Sequence, residues 1–390
     1  MVRDFFVSLF LFIFFSFNLY SSGFRLSEQS SKANGMGNAM TAIADDASVV
    51  WYNPAGMSFL KGNLVSLGTV MIYPSMKHNY NGGEDEISKV LHIPPYFFGV
   101  YKINEKFSAG LGYTVPFGLQ TDWGLNSKTS KIATISDLVV NNYNLNLSYL
   151  LNEKISLGFG VDYIYISKAV LNSKPNVEVK MSATGEGWGY NLSVFYKYDD
   201  NWNFGLNYRS NANVKADGSV EYVGILKEKA STEINLPDTF QLGSSYKFRK
   251  WLFSFVLDRT NWSRYDKLVV KKSSGDITYY KRWKSVWAYR FGTEYDYKDY
   301  LKLRAGFFYD KNPVPEKHFD SRTPDSDRIA FSLGLGWIKN NISMDFSYSY
   351  ILFIKRKIDS SVEDDLFANA LNGEYKSFAH MPSLGINYKF

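Results

Sequence analysis

Residues 381–390 read MPSLGINYKF, and this closing stretch indicates the fold. From Leu384 to Phe390, apolar side chains recur at every second position and therefore share one face of a β-strand. Small and polar residues occupy the other face. Lipid offers no hydrogen-bond partner to an unpaired sheet edge, so a final strand that is apolar on one side is typical of a transmembrane β-barrel.

The composition agrees with a large barrel. The 390 residues would suffice for two or three soluble domains or for one barrel that uses the whole chain. Aromatic residues make up 17% of the chain, yet the mean hydropathy is −0.24. Barrels combine these properties, because half of each strand faces a polar lumen and aromatic girdles lie at both interfaces. The net charge of +6 includes no long basic run, so we expect no nucleic-acid partner.

Several classes of site are excluded or unsupported. The chain has no cysteine, which excludes disulfides, thiolate metal sites and a lipidated N-terminal cysteine. The four histidines, His78, His92, His318 and His380, are far apart and show no metal-ligand spacing. No Ser-His or Asp-His pair stands out as catalytic. We therefore expect no metal, no cofactor and no enzymatic activity.

The N-terminus predicts a signal peptide over residues 1–22. Arg3 precedes an apolar run over residues 5–17, and the small residues Ser21 and Ser22 follow it. A membrane anchor is the alternative, but the run is shorter than the roughly 20 residues that a spanning helix needs. Beyond residue 22 no apolar stretch could span a bilayer as a helix, so any span must consist of strands.

Period-two alternation dominates the remaining chain. Residues 142–149, 287–297 and 343–350 alternate between apolar or aromatic and polar side chains. A half-buried soluble sheet would alternate too. The charges on the inner face, such as Arg290 and Glu294, favour a polar lumen over a dry core.

The connections predict about 14 antiparallel strands over residues 63–390. Short turns near residues 104, 152, 199, 249, 298 and 340 alternate with longer polar loops near residues 80–92, 123–136, 171–183, 311–326 and 357–376. Two further connections lie near residues 224 and 273, and the sequence does not mark the strand boundaries between 212 and 240. Outer-membrane barrels have this alternation, with short periplasmic turns and long external loops.

Residues 23–62 do not alternate and predict short helices and turns. This segment is rich in small residues and contains Asn53-Pro54-Ala55. Asn53 is a candidate helix cap, with Pro54 at the first helical position. Barrels of more than about eight strands leave interior space, so we expect this segment to plug the lumen.

Several motifs resemble one known family. Gly23-Phe24-Arg25-Leu26, residues 42–47 (AIADDA) and Asn53-Pro54-Ala55 have the order and spacing of the N-terminal hatch of the FadL/TodX family, which transports long-chain fatty acids and other hydrophobic compounds across the outer membrane. The similarity continues to the end of the chain, for instance at residues 113–123, 260–263 and 310–328.

The resemblance implies an all-β fold, a 14-stranded barrel plugged by the hatch. It also implies capture in an external apolar groove, passage to a hatch-gated site and lateral exit where the third strand kinks inward. Val115-Pro116-Phe117-Gly118 matches that kink. Proline cannot donate to a strand ladder and glycine permits a bend, although an ordinary bulge at a barrel rim would look the same.

The resemblance also assigns candidate residues. It places Asn53, Pro54 and Ala55 against the kink formed by Pro116, Phe117 and Gly118, and Asp310 at the end of the eleventh strand in the gap region. It implies Phe24 and Leu26 as contacts to an apolar tail and Lys281 as a contact to an acidic head group. Asn172 occupies a second position that is basic in the family. Lys281 has the alternative of pairing with a lumenal carboxylate.

We therefore expect a passive transporter of fatty acids or related hydrophobic molecules in the cell outer membrane. The expected partners are the hydrophobic substrate, outer-membrane lipid and the barrel-assembly machinery, which would recognise Phe390, and we expect a monomer. The alternatives are a diffusion porin, a surface-binding adhesin and, last, an outer-membrane hydrolase that would use His92 or His318.

Overall fold

The chain is almost entirely β-structure. A computed structural model describes residues 23–362, 367 and 369–390, so the signal-peptide prediction lies outside the described residues. The described strands, in chain order, are β1 (Leu64–Val70), β2 (Tyr73–Tyr80), β3 (Gly83–Glu86), β4 (Pro95–Lys102), β5 (Phe107–Asp122), β6 (Ile135–Leu150), β7 (Ile155–Ser173), β8 (Val179–Lys197), β9 (Trp202–Arg209), β10 (Ala212–Tyr222), β11 (Leu226–Leu236), β12 (Thr239–Phe248), β13 (Trp251–Thr260), β14 (Lys267–Lys272), β15 (Ile277–Tyr280), β16 (Val286–Lys298), β17 (Leu301–Asp310), β18 (Arg328–Lys339), β19 (Ile342–Phe353), β20 (Arg356–Ile358) and β21 (Gly373–Lys389).

Fourteen of these strands form one closed antiparallel wall, which confirms the predicted fold. The order around the wall is β1, β4, β5, β6, β7, β8, β9, β12, β13, β16, β17, β18, β19 and β21. The barrel closes where β1 pairs with β21, from Leu64 opposite Lys389 to Val70 opposite Ser383. The remaining segments extend the wall or form hairpins on the side of the long connections. Closure gives the first and last wall strands, β1 and β21, a partner on both sides.

Every predicted long loop except residues 171–183 overlaps a long connection between wall strands, although residues 80–92 also contain β3 and residues 373–376 already belong to β21. The predicted short turns all separate neighbouring wall strands. Residues 171–183 are not a long loop, because β7 and β8 run through most of them and leave only residues 174–178 as a connection. The region whose strand boundaries the sequence does not mark proves to be the hairpin of β10 and β11, whose register runs from Ala212 opposite Leu236 to Tyr222 opposite Leu226.

The wall is apolar outside and polar inside. In β6, Leu145 is 65% exposed on the outer face, whereas its neighbours Asn144 and Asn146 are buried inside. The closing strand β21 follows the same rule, with Leu384 and Tyr388 outside. A polar lumen and an apolar outer band are the arrangement that a membrane barrel requires.

The N-terminal segment, residues 23–62, lies against the lumenal face of the wall. It contains the helices Ser31–Gly35 and Val49–Tyr52 and the 3-10 helix Pro54–Phe59. Nearly all of its residues are buried. Among the described residues, no helix is long and apolar enough to cross a bilayer.

Glycines bring this segment into direct contact with the wall backbone. A Cβ atom added to Gly306 in β17 would lie 2.0 Å from the backbone nitrogen of Gly37, and one added to Gly292 in β16 would lie 2.4 Å from the carbonyl oxygen of Met36. Gly37 itself has a φ of 58°, which favours glycine. No side chain fits between the segment and the wall at these positions.

Candidate functional site

The third wall strand, β5, is irregular at the motif that predicted a kink. Its register with β6 shifts between Thr114 and Phe117, so that Val115 and Pro116 have no partner in β6. On its other edge, β5 pairs with β4 only as far as Tyr113. The ladder between β4 and β5 therefore ends half-way along β5.

Beyond Tyr113 the free edge of β5 binds the N-terminal segment. The backbone nitrogen of Leu26 donates to the carbonyl oxygen of Pro116 at 2.8 Å, and that of Gly118 donates to the carbonyl oxygen of Phe24 at 3.0 Å. These two bonds flank an antiparallel bridge between Arg25 and Phe117. The segment thus takes the place that β4 would otherwise occupy, and the strand is drawn into the lumen.

A cavity of about 450 Å³ opens where β5 leaves β4. It is bounded by the start of β4, the kinked part of β5 and the adjoining part of β6. Its lining is mostly apolar, including Leu26, Ile72, Leu91, Ile93, Val115 and Leu119. Leu91 and Ile93 are 47% and 56% exposed, so the cavity reaches the outer surface. We call it the wall gap.

A second cavity of about 120 Å³ lies inside the barrel, next to the wall gap. Phe24 and Leu26 line it, and it shares Leu26, Gly118 and Leu119 with the wall gap. We call it the chamber. Leu26 therefore borders both cavities and separates the interior from the opening in the wall.

Phe24 is held in a cluster of aromatic rings. Its ring centroid lies 4.7 Å from that of Trp262, 5.6 Å from that of Tyr265 and 5.9 Å from that of Phe117. Edge-to-face aromatic pairs contribute about 0.5–1.5 kcal/mol each beyond their buried area. The cluster fixes the start of the N-terminal segment against the kink.

A small apolar groove lies on the side of the long connections. The extensions of β7 and β8 meet β10, β11 and β14 around a cavity of about 50 Å³. Its lining includes Leu171, Met181, Val220, Ile234 and Val270 and contains no charged residue. We call it the upper groove.

Buried ion pairs join the N-terminal segment to the opposite wall. Arg25 Nη1 lies 2.9 Å from Asp258 Oδ1, and Arg290 Nε lies 3.1 Å from Asp258 Oδ2. Asp310 continues this network through Arg290, at 3.3 Å, and Arg328. Asp310 does end the eleventh wall strand, but it lines neither the chamber nor the wall gap, and its place in the gap region stays a prediction.

Asn53-Pro54-Ala55 also lies elsewhere than expected. Asn53 Nδ2 donates to the carbonyl oxygens of Thr41 and Val194, and the backbone nitrogen of Ala55 donates to Ser193 Oγ. Val194 and Ser193 belong to β8, not to the kink of β5. Asn53 is the N-cap residue with Pro54 after it, but its side chain makes no capping bond. Its amide instead satisfies two carbonyl groups that the barrel interior leaves without solvent.

Lys281 is paired rather than open to a ligand. It is buried, and its Nζ donates to Asp320 Oδ2 at 2.7 Å. Arg322 Nη1 donates to the same oxygen at 2.9 Å. Lys281 lines neither the chamber nor the wall gap, so an acidic head group would have to compete with Asp320 for it. The structure thus contains the alternative that the sequence analysis gave for Lys281, which is pairing with a carboxylate.

Asp325 connects a long loop to the beginning of the described chain. Its Oδ2 accepts a hydrogen bond from the backbone nitrogen of Gly23 at 2.8 Å. Burial raises the pKa of this carboxyl to about 6, although Arg328 opposes the shift. Asp325 lines the chamber, so the contact fixes the loop over the first residues of the segment.

Sequence reasoning missed most of the polar contacts of the N-terminal segment. Lys32 reaches Asp45, Asp46 and, at 3.9 Å, Glu294 of β16. Only Glu294 had been recognised, as an inward-facing residue. Glycines on the inner face of strands, such as Gly306, were the available signal, because they indicate close approach of another backbone.

Comparisons with known proteins agree with this architecture. A family model described as an outer membrane protein transport protein (OMPP1/FadL/TodX) matches residues 13–390. A long-chain fatty acid transport protein of Salmonella typhi is 27% identical over 386 residues, which cover 85% of this chain and 88% of that protein. The crystal structure of a Pseudomonas aeruginosa FadL homologue matches with a TM-score of 0.85 at 20% identity, covering 95% of this chain and 100% of that one. The Pseudomonas putida toluene transporter TodX matches with a TM-score of 0.70 at 20% identity, covering 95% and 98%. The chain therefore belongs to the OMPP1/FadL/TodX family of outer-membrane transport proteins.

Proposed function

We propose that this protein takes up long-chain fatty acids or related hydrophobic compounds passively and releases them sideways through the barrel wall. One observation carries the proposal: beyond Tyr113 the edge of β5 is bonded to residues 24–26 instead of to β4. This exchange of partners leaves an apolar opening in a wall that is otherwise closed. The names of the similar proteins, which refer to fatty acids and toluene, agree with an apolar substrate.

The proposed route joins the three apolar sites. The upper groove captures the molecule, the chamber beside Phe24 and Leu26 holds it, and the wall gap releases it into the membrane. Pro116, Phe117 and Gly118 form the inner border of the exit. We call residues 23–62 the hatch. In this scheme the motif Asn53-Pro54-Ala55 acts indirectly, because it fixes the 3-10 helix of the hatch to β7 and β8.

Partition from water drives the uptake. Burying each methylene group contributes roughly 0.8 kcal/mol, so an acyl chain of a dozen carbons enters an apolar site without an energy source. The same affinity would retain the molecule unless the site opens. The hatch is held at the kink by two backbone hydrogen bonds, each worth about 0.5–1.5 kcal/mol net. Movement of residues 24–26 away from β5 breaks these two bonds, must also release Arg25 from its buried pair with Asp258, and would join the chamber to the wall gap.

A disulfide between hatch and kink tests this movement. Arg25 and Phe117 form a bridge flanked by hydrogen bonds, a pairing in which Cα atoms lie about 4.5 Å apart, within the range of disulfides. The natural chain has no cysteine, so Arg25→Cys with Phe117→Cys forms one defined bond. We expect the oxidised variant to bind oleic acid but not to deliver it to cells that lack their own fatty acid transporter.

The reduced form of the same variant is the matched control. It also lacks the Arg25 ion pair with Asp258, so only the cross-link distinguishes the two forms. Reduction should restore uptake. Equal uptake by the oxidised and reduced forms would contradict a hatch-gated lateral route.

Electrical recordings separate transport of this kind from the alternatives. A diffusion porin would conduct ions steadily in planar bilayers, whereas a barrel filled by residues 23–62 should not. Steady conductance by the purified protein would favour the porin. An adhesin would leave uptake unchanged when its gene is deleted.

The remaining proposals concern biogenesis and chemistry. We propose that the barrel-assembly machinery recognises β21 through Phe390, which is 64% exposed at the end of the chain. We also propose that the protein acts as a monomer. It would need no cofactor and no catalytic step, because partition alone accounts for the uptake.

A further inference from the structure

The outer face of the wall carries a groove that the transport route does not use. It measures about 590 Å³ and lies where β12, β13, β16 and β17 adjoin. This side of the barrel is far around the wall from β4 and β5. The volume falls within the range of small-molecule sites, roughly 300–1,000 Å³.

Side-chain size along two rows of the sheet produces the groove. In one row Phe255, Phe291 and Phe307 lie opposite one another on adjacent strands. In the next row the small residues Thr293 and Ala305 are partners. The three phenylalanine rings therefore project further from the wall than the side chains of Thr293 and Ala305, which form the floor of the groove. Arg290 and Glu294 are buried on the lumenal side, so strand alternation directs the side chains of Phe291, Thr293 and their partners outward, toward the membrane.

The wall behind the groove is rigid. On the lumenal side, Gly292 and Gly306 contact the backbone of Met36 and Gly37 directly. The ring centroids of Phe255 and Phe291 lie 4.7 Å apart. The floor of the groove is therefore packed against the hatch backbone, and an apolar occupant would meet a groove that is already formed.

The residues that line the groove and its depth in the membrane restrict which molecule can bind there. None of the residues that line the groove is charged, and the groove is continuous with the lipid-facing surface of an outer-membrane barrel. Thr293 lies five residues before the end of β16, next to a short turn. At about 3.3 Å per residue this is roughly 17 Å along the strand. Short turns are periplasmic in such barrels, so the groove lies in the leaflet that consists of phospholipid.

We infer that this groove binds one acyl chain of an outer-membrane phospholipid as a resident lipid. The chain lies over Thr293 and Ala305 and packs against the surrounding phenylalanine rings. This site is independent of the transported substrate, and the inference does not depend on the proposed function.

Counting the lipids that remain on the purified barrel tests the inference. Native mass spectrometry after extraction in mild detergent should show one retained phospholipid on the natural protein. Ala305→Phe fills the groove and should lower the affinity for added phosphatidylethanolamine about tenfold, which corresponds to about 1.4 kcal/mol. Oleic acid uptake should not change.

Ala109→Phe is the matched control. Ala109 also faces outward, between Tyr101 and Leu147, and lies outside the groove. This variant should retain the lipid as the natural protein does. The heat-dependent mobility shift of folded barrels in gel electrophoresis shows that both variants fold. Equal lipid retention by the two variants, no retained lipid on the natural protein, or a dimer that Ala305→Phe abolishes would each overturn the inference.

Discussion

On the side of β16, β17 and β19 the hatch is held by buried charges and direct backbone contacts, whereas at the kink of β5 it is held by two backbone hydrogen bonds, the side-chain amide of Gln29 and apolar side chains. Lys32 lies near Glu294 on the first side, and Leu26 lies between two cavities on the second. Removing one partner from a buried charge cluster costs several kcal/mol, and separating apolar surfaces next to an empty cavity costs less. The difference supports the proposal that the hatch is fixed on the first side and opens on the second.

The largest effect is expected from Gly306→Ala on the fixed side. The added Cβ would lie 2.0 Å from the backbone of Gly37, and backbone cannot move aside as a side-chain end can. We expect a loss of at least about 4 kcal/mol in the free energy of unfolding, or no folded barrel at all. Urea titration in lipid vesicles measures it. Normal stability would mean that the hatch is not fixed on this side.

Lys32→Met should have the next largest effect. Lys32 is buried and lies near Asp45, Asp46 and Glu294. Glu294 keeps Arg304 and Lys302 as partners, but the loss of Lys32 leaves the Asp46 carboxylate buried without a cation, at a cost of about 3–5 kcal/mol. The control is Lys168→Met near the kink. Lys168 pairs with Asp137, but its side chain is 53% exposed, and such pairs contribute about 0–1 kcal/mol. Equal losses in the two variants would break the comparison.

Asp325→Asn should change how stability depends on pH. Because the folded-state pKa is raised to about 6, the stabilisation from this group is complete below about pH 4 and is lost as the pH rises through 6. Asparagine resembles the protonated acid and still accepts from Gly23. The variant should therefore gain stability over the natural protein at pH 8, by roughly 3 kcal/mol at most, and little at pH 4. Urea titrations at both pH values check this, and a gain that does not depend on pH would contradict the assignment.

The smallest effect on stability is expected from Gly118→Ala at the kink. Its added Cβ would meet the tip of Leu26 at 3.3 Å, and this side chain borders empty space. We expect a change of less than about 1 kcal/mol. Gly118→Trp should in addition obstruct the wall gap and reduce oleic acid uptake while the barrel still folds. Normal uptake by the tryptophan variant would argue against lateral exit at this point.

The features that the sequence predicted are mainly those that repeat from strand to strand along the chain. Alternation such as that around Leu145 follows from the two faces of a strand, so the two faces of the wall were accessible, and the order of short and long connections predicted the strand number. The position of the kink at Pro116 came from the resemblance to the FadL/TodX family. The contacts of Asn53 and Lys281 were not accessible. Their partners, Val194 and Asp320, are distant in the chain, and only the closed wall brings them together. A polar residue that faces the lumen has many candidate partners, and alternation does not distinguish among them.

The two longest strands give the molecule a raised rim. β7 and β8 each contain 19 residues, about 63 Å of extended chain at 3.3 Å per residue. Tilted by roughly 40°, they rise about 48 Å, well beyond an apolar band about 25 Å tall. The upper groove is therefore carried above the lipid, where the proposed capture of a poorly soluble molecule would take place before that molecule reaches the membrane.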